Sequence, residues 1–159
     1  MRKAQVQSQV VTYLFLALVV MAIMYFGYKG YADMRNRDKE STYVFTQTKM
    51  EIDIDKVRRN IGALEVKEYN LPEEVRKVCF YDYETPQSEF NETTHPLYYQ
   101  LVQGGENIFF VKNDLSVPRG MKAGKIKFNN QFGCINITQS VLRIRLEGGG
   151  NYAIIHELE

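Results

Sequence analysis

Few side chains in this 159-residue chain could do chemistry. His95 and His156 are its two histidines, and Cys79 and Cys134 its two cysteines. Neither histidine has a cysteine or carboxylate at a spacing that specifies a metal site or a triad. No serine sits in a nucleophile-elbow context. Gly104-Gly105 and Gly148-Gly149-Gly150 lack the Lys-Ser or Lys-Thr that would follow in a phosphate-binding loop, and read as turn glycines. The sequence therefore nominates no catalytic, cofactor-binding or metal-ligating residue, and an enzyme is not expected.

Two residue types have a covalent use that needs no active site in the chain itself. Two cysteines are too few for a disulfide scaffold and too widely spaced for zinc. Outside the cytoplasm, a Cys79–Cys134 bridge closing a loop of about 55 residues would stabilise by roughly 3–4 kcal/mol. In a reducing compartment the same residues would be small buried hydrophobes. Asn91-Glu92-Thr93 and Asn136-Ile137-Thr138 are N-glycosylation sequons. Asn91 lies in a polar stretch suited to an exposed site. Asn136 lies two residues from Cys134 in a predicted strand, which argues against its use.

Charge narrows the partners. The formal net charge is +1, so no global field draws in nucleic acid. Arg119, Lys122, Lys125 and Lys127 read as a solvated basic loop, with contact to lipid headgroups or an anionic glycan as the sharper alternative. Glu51, Asp53 and Asp55 alternate with Met50, Ile52 and Ile54, but no glycine turn or convergent loop makes them a cation site. The chain has no tryptophan but eleven tyrosines and nine phenylalanines. Such a composition suits an exposed binding or assembly surface and an aromatic core equally well.

Residues 10–28, VVTYLFLALVVMAIMYFGY, carry no charge. As a helix they would span roughly 28 Å, the thickness of a bilayer's hydrocarbon core. A transmembrane helix is the expectation, with Tyr25, Tyr28 and Tyr31 at the interface. Residues 1–9 form a basic and polar tip. Residues 29–40 form a charged stalk that either extends the helix or bends at Gly27 and Gly30. A cleaved secretory signal fits poorly, because the apolar core is too long and Lys29 and Tyr31 sit badly around the small-residue site at Gly30 and Ala32.

Residues 41–159 form the remaining domain. Met50, Ile54, Val57 and Ile61 follow helical spacing and Gly62 supplies a C-cap, so a helix is preferred to a strand there. Beyond it come strands over 63–69, 75–83, 107–112, 126–128 and 134–137. A short helix opens at Thr94-His95-Pro96 and is stopped by Gly104-Gly105. Leu142, Ile144 and Leu146 alternate with Arg143, Arg145 and Glu147, then a four-residue Gly148–Asn151 loop returns the chain as a β-hairpin. The fold class is α+β: an amino-terminal transmembrane helix followed by a small, mainly antiparallel β domain.

Arg2-Lys3-Ala4-Gln5, placed just before the apolar helix, resembles the class III signal of archaeal prepilins. Tip, membrane helix and cysteine-bearing β head follow in the order of type IV pilin-like proteins. The phrases LPEEVRKVCFYD, NIFFV, GCINI and LRIRLEGGGNYAI also resemble a recurring archaeal membrane-protein pattern. Bacterial pilins usually carry Glu at the fifth mature position, where this chain has Gln9. The resemblance implies cleavage by a prepilin peptidase between Ala4 and Gln5, retention of the helix, and homo- or hetero-oligomers formed through it. Small residues Ala17, Ala22 and Gly27 would admit close neighbours, with ordinary lipid-facing positions as the equal alternative. The positive-inside count favours the opposite orientation, since Lys29, Arg35, Arg37 and Lys39 follow the helix. The sequons, the cysteine pair and the resemblance nevertheless favour a cytoplasmic amino terminus and an external head at the cell membrane. The alternative function is a monomeric bitopic protein whose ectodomain binds a ligand, an S-layer or a partner complex.

Overall fold

No proline interrupts the first third of the chain, and a single helix, α1 (Arg2–Arg58), runs through it. A computed structural model describes residues 2–83, 90, 93, 95–113, 118–128 and 132–158, with backbone alone for 2–9. The charged stretch 29–40 continues the helix and does not bend at Gly27 or Gly30. The chain divides into two compact units, Met1–Ser41 and Thr42–Glu159. The first unit is helix throughout its described residues.

The second unit holds the last turns of α1 and two four-stranded sheets. Its strands are β1 (Leu64–Asn70), β2 (Val75–Tyr81), β3 (Ile108–Lys112), β4 (Arg119–Met121), β5 (Ile126–Phe128), β6 (Phe132–Asn136), β7 (Val141–Gly148) and β8 (Ala153–Glu157). A short helix, α2 (Pro96–Gln103), lies between β2 and β3. One sheet has the order β1-β7-β8-β5 and the other β4-β3-β2-β6. Every pairing is antiparallel except β5 with β8.

Period-two patterning explains how the sheets share a core. Leu142, Ile144 and Leu146 of β7 are buried while Arg143 and Arg145 are exposed. Val78 and Phe80 of β2, Ile108 and Phe110 of β3, and Ile155 of β8 meet them in one cluster. Tyr43, Met50, Ile54 and Val57 of α1 complete that cluster, at the three- and four-residue spacing that keeps side chains on one helix face. A second cluster lies apart from it: Cys79, Tyr81 and Phe109 pack with Val102 of α2 and with Phe90.

The structure refines the sequence expectations in detail. The strand alternative for residues 50–55 is excluded, because that stretch is the helix's core-facing end. β1 turns its apolar residues outward: Leu64 and Val66 are each 60% exposed, while Glu65 and Lys67 are partly buried and ion-paired with α1. Arg119 belongs to β4 and Lys127 to β5, so the basic segment is no single loop; their charges lie over the rings of Tyr43 and Tyr152. The hairpin loop is Gly149–Tyr152, since Gly148 still pairs with Ala153.

Candidate functional site

The unusual surface of the first unit comes from the apolar run itself. Residues 10–31 are all exposed, and Phe15 and Phe26 reach 69%. Within α1 the apolar window buries 0% of its residues in the protein. In water each large apolar side chain left out this way forgoes about 1.5–3 kcal/mol of burial. This one helix is long and apolar enough to cross a membrane. The Ala4–Gln5 peptide bond lies in its first turn.

The other end of α1 is fastened into the head by polar contacts around its buried face. Thr46 Oγ1 donates to the carbonyl of Asn70 at 2.6 Å. The Tyr69 hydroxyl donates to Asp53 Oδ2 at 3.1 Å, and Lys67 Nζ lies 3.1 Å from Asp53 Oδ1. Lys67 also reaches Glu65 at 2.7 Å, and Lys56 reaches the same carboxylate at 3.3 Å. Burial first, then the Asp53 charge, pushes the Tyr69 phenol far above its ordinary range. The hydrogen bond from Lys67 holds the Glu65 carboxyl below its usual value, and its counterpart raises Lys67. At the helix end Arg58 and Arg59 both pair with Asp55, whose carboxyl is lowered chiefly by the Arg58 hydrogen bond. The acidic alternation thus divides three ways: Asp53 docks the helix against β1, Asp55 pairs locally with Arg58 and Arg59 at the helix's own end, and Glu51 is exposed.

Glycine closes the same junction. α1 ends at Arg58, short of Ile61, which is 85% exposed, so Gly62, at φ +76°, is not the expected C-cap but turns the chain beyond the helix, where it donates its N–H to the Gly148 carbonyl at 2.8 Å. Gly148 N–H donates back to Ala63 at 2.9 Å. A Cβ at Gly148 would lie 2.0 Å from the Asn60 carbonyl oxygen and 2.4 Å from that of Val57.

Cys79 and Cys134 face each other across β2 and β6 and are joined in a disulfide. Cys79 is fully buried under α2, whereas Cys134 is exposed. His95 precedes α2 without a side-chain capping bond; its ring stacks on Phe90 at 5.2 Å and lies 4.9 Å from Phe132. His156 Nε2 is 3.1 Å from Glu147 Oε2. The two histidines therefore occupy separate structural settings. Among the described residues no group of three His, Cys, Asp or Glu is placed to hold a metal ion.

Asn91 and Thr94 lie outside the described residues. Asn136 ends β6 with its side chain exposed, and Thr138 is exposed two residues on. The structure brings Asn136 and Cys134 onto one face of that strand and keeps Ile135 and Ile137 in the core.

Sequence reasoning missed a buried polar clamp at Asn107. Its amide accepts from Ala123 N–H at 2.8 Å and donates to the carbonyls of Ala123 and Gly124 at 2.9 and 3.0 Å. The clamp shapes a cleft of about 400 Å³ beside Arg58, Tyr83 and Lys122. An asparagine opening the apolar run IFFV was the sole available signal, and it names no partner. No family model matches the chain, and neither curated proteins nor solved structures return a match.

Proposed function

We propose that this protein is a membrane-anchored structural or assembly subunit of type IV pilin-like character, with its β-rich head outside the cell. One observation carries the reading. A single 57-residue helix has an amino-terminal stretch that buries nothing in its own chain and a carboxy-terminal end built into the core of a disulfide-bearing head. A helix of that kind takes its stabilising contacts from lipid or from other helices. Cleavage between Ala4 and Gln5 by a prepilin peptidase would free its amino terminus while keeping the anchor. The exposed disulfide partner Cys134 supports an oxidising surrounding for the head.

Sequencing the amino terminus of protein purified from its own membranes tests the processing step. The expected first residue is Gln5. A start at Met1 would make the helix a plain anchor, and a start near Asp33 would make the head a secreted domain. Crosslinking through cysteines placed at positions 17 or 22 then asks whether helices meet in the membrane. A protein that remains monomeric would overturn the assembly role and leave the ligand-binding ectodomain, for which the Asn107 cleft is the natural starting point.

A further inference from the structure

We infer that Asn136 is an N-glycan acceptor and that its glycan caps the open edge of the β4-β3-β2-β6 sheet. The inference rests on the external head proposed above. Three features of the strand carry it. Asn136 and Thr138 are both exposed, so acceptor amide and sequon hydroxyl are reachable from solvent. The amide has no side-chain hydrogen-bond partner among the described residues. Ile137, between them, is buried and holds the tripeptide in place through its N–H on the Arg76 carbonyl at 2.7 Å.

That last bond also fixes which way the backbone points. In an antiparallel ladder, hydrogen-bonded and non-hydrogen-bonded pairs alternate. Ile137 bonds toward β2, so the neighbouring pairs Lys77–Asn136 and Cys79–Cys134 are of the non-hydrogen-bonded kind. The N–H and C=O groups of Cys134 and Asn136 therefore point away from β2, along the free edge of a terminal strand. Such an edge is a template for pairing with another chain unless something obstructs it. A bulky hydrated sugar on Asn136 would stand at that edge and over the exposed Cys134.

The chemistry is a group transfer from a lipid-linked oligosaccharide. Asn136 Nδ2 forms a bond to the anomeric carbon, the bond from that carbon to the lipid phosphate oxygen breaks, the amide nitrogen gives up one proton, and the lipid phosphate leaves. No oxidant or reductant is involved.

The test is glycopeptide mass spectrometry on the full chain made in cells with an N-oligosaccharyltransferase, with a control sequon appended on a flexible carboxy-terminal tail. The expected result is sugar on the Asn136 peptide, lost in Asn136→Gln and in Thr138→Ala and retained in Thr138→Ser. A bare Asn136 with an occupied control sequon would overturn the inference and leave the external head standing. If both are bare and Cys79 and Cys134 react as free thiols, the orientation fails and the inference falls with it.

Discussion

Asp53 shows how much one carboxylate can decide. It accepts from the Tyr69 hydroxyl and pairs with Lys67, whose side chain would otherwise sit half-buried against the helix with Glu65 alone. Asp53→Ala should leave a buried phenol without its acceptor and lower stability by about 1–3 kcal/mol. Urea unfolding of the full chain in detergent micelles measures this. Tyr69→Phe in the same background should recover part of the loss, because the orphaned hydroxyl is then gone. Equal losses in the single and double variants would show that the hydroxyl is not what the carboxylate serves. The spacing of Met50, Ile54 and Val57 made the buried helix face legible in the sequence. Nothing in the alternation of Glu51, Asp53 and Asp55 said which acid turns toward β1. That depends on a strand arriving beside the helix, and Glu51, two residues away, stays in solvent.

At the scale of elements, tight turns carry information that composition hides. The chain crosses from β6 to β7 through Thr138–Val141, where Val141 N–H donates to Thr138 at 3.2 Å. Gln139 and Ser140 both take positive φ, 55° and 59°, the signature of a type I′ turn. Neither residue favours that conformation, so no Asn-Gly or Asp-Gly marked the turn in advance. Replacing Gln139-Ser140 by Asn-Gly should raise stability by roughly 1 kcal/mol, read as a higher thermal midpoint. An unchanged or lower midpoint would mean that neighbouring contacts hold the turn in its present form. The glycine-rich hairpin was legible, but not the reason for its first glycine. Gly148 is where the helix end meets β7, and Gly148→Ala forces a methyl group into two backbone carbonyls that cannot swing away. A loss of about 3 kcal/mol or more follows from overpacking of that kind. Gly150→Ala, beside the movable Ile61 side chain, meets no backbone atom and bears only the cost of its φ of +89°. If the two variants unfold alike, close approach to the helix is not the role of Gly148. β1 was legible as a strand, but not the direction of its faces. Alternation revealed a two-faced strand, and ion pairs with Lys56 and Asp53 then placed its charged face inward.

For the whole molecule, the two units draw stability from different sources. Residues 10–28 are apolar on every side and find no core of their own, so the surrounding solvent decides whether that part of α1 is stable. The second unit has a shared core between its sheets and a covalent tie across 55 residues of sequence. In the chain-entropy account, that tie contributes roughly 3–4 kcal/mol by restricting the unfolded head. It does nothing for the apolar stretch 10–28 of α1, which contains neither cysteine. The double variant Cys79→Ser/Cys134→Ser should therefore lose resistance to protease in the head at a lower urea concentration. A membrane-embedded fragment containing residues 10–28 should survive digestion unchanged in both proteins. Limited proteolysis of reconstituted vesicles, followed by mass analysis of the fragments, separates the two effects. Loss of the membrane fragment along with the head would show that anchor and head unfold as one cooperative body. Equal urea resistance in the two proteins would show that the bridge adds little to a head already held by its core. The expected result, a weakened second unit beside an intact apolar helix, follows from where each part finds its stabilising contacts: the sheets in their shared core and the bridge, and residues 10–28 in whatever medium surrounds them.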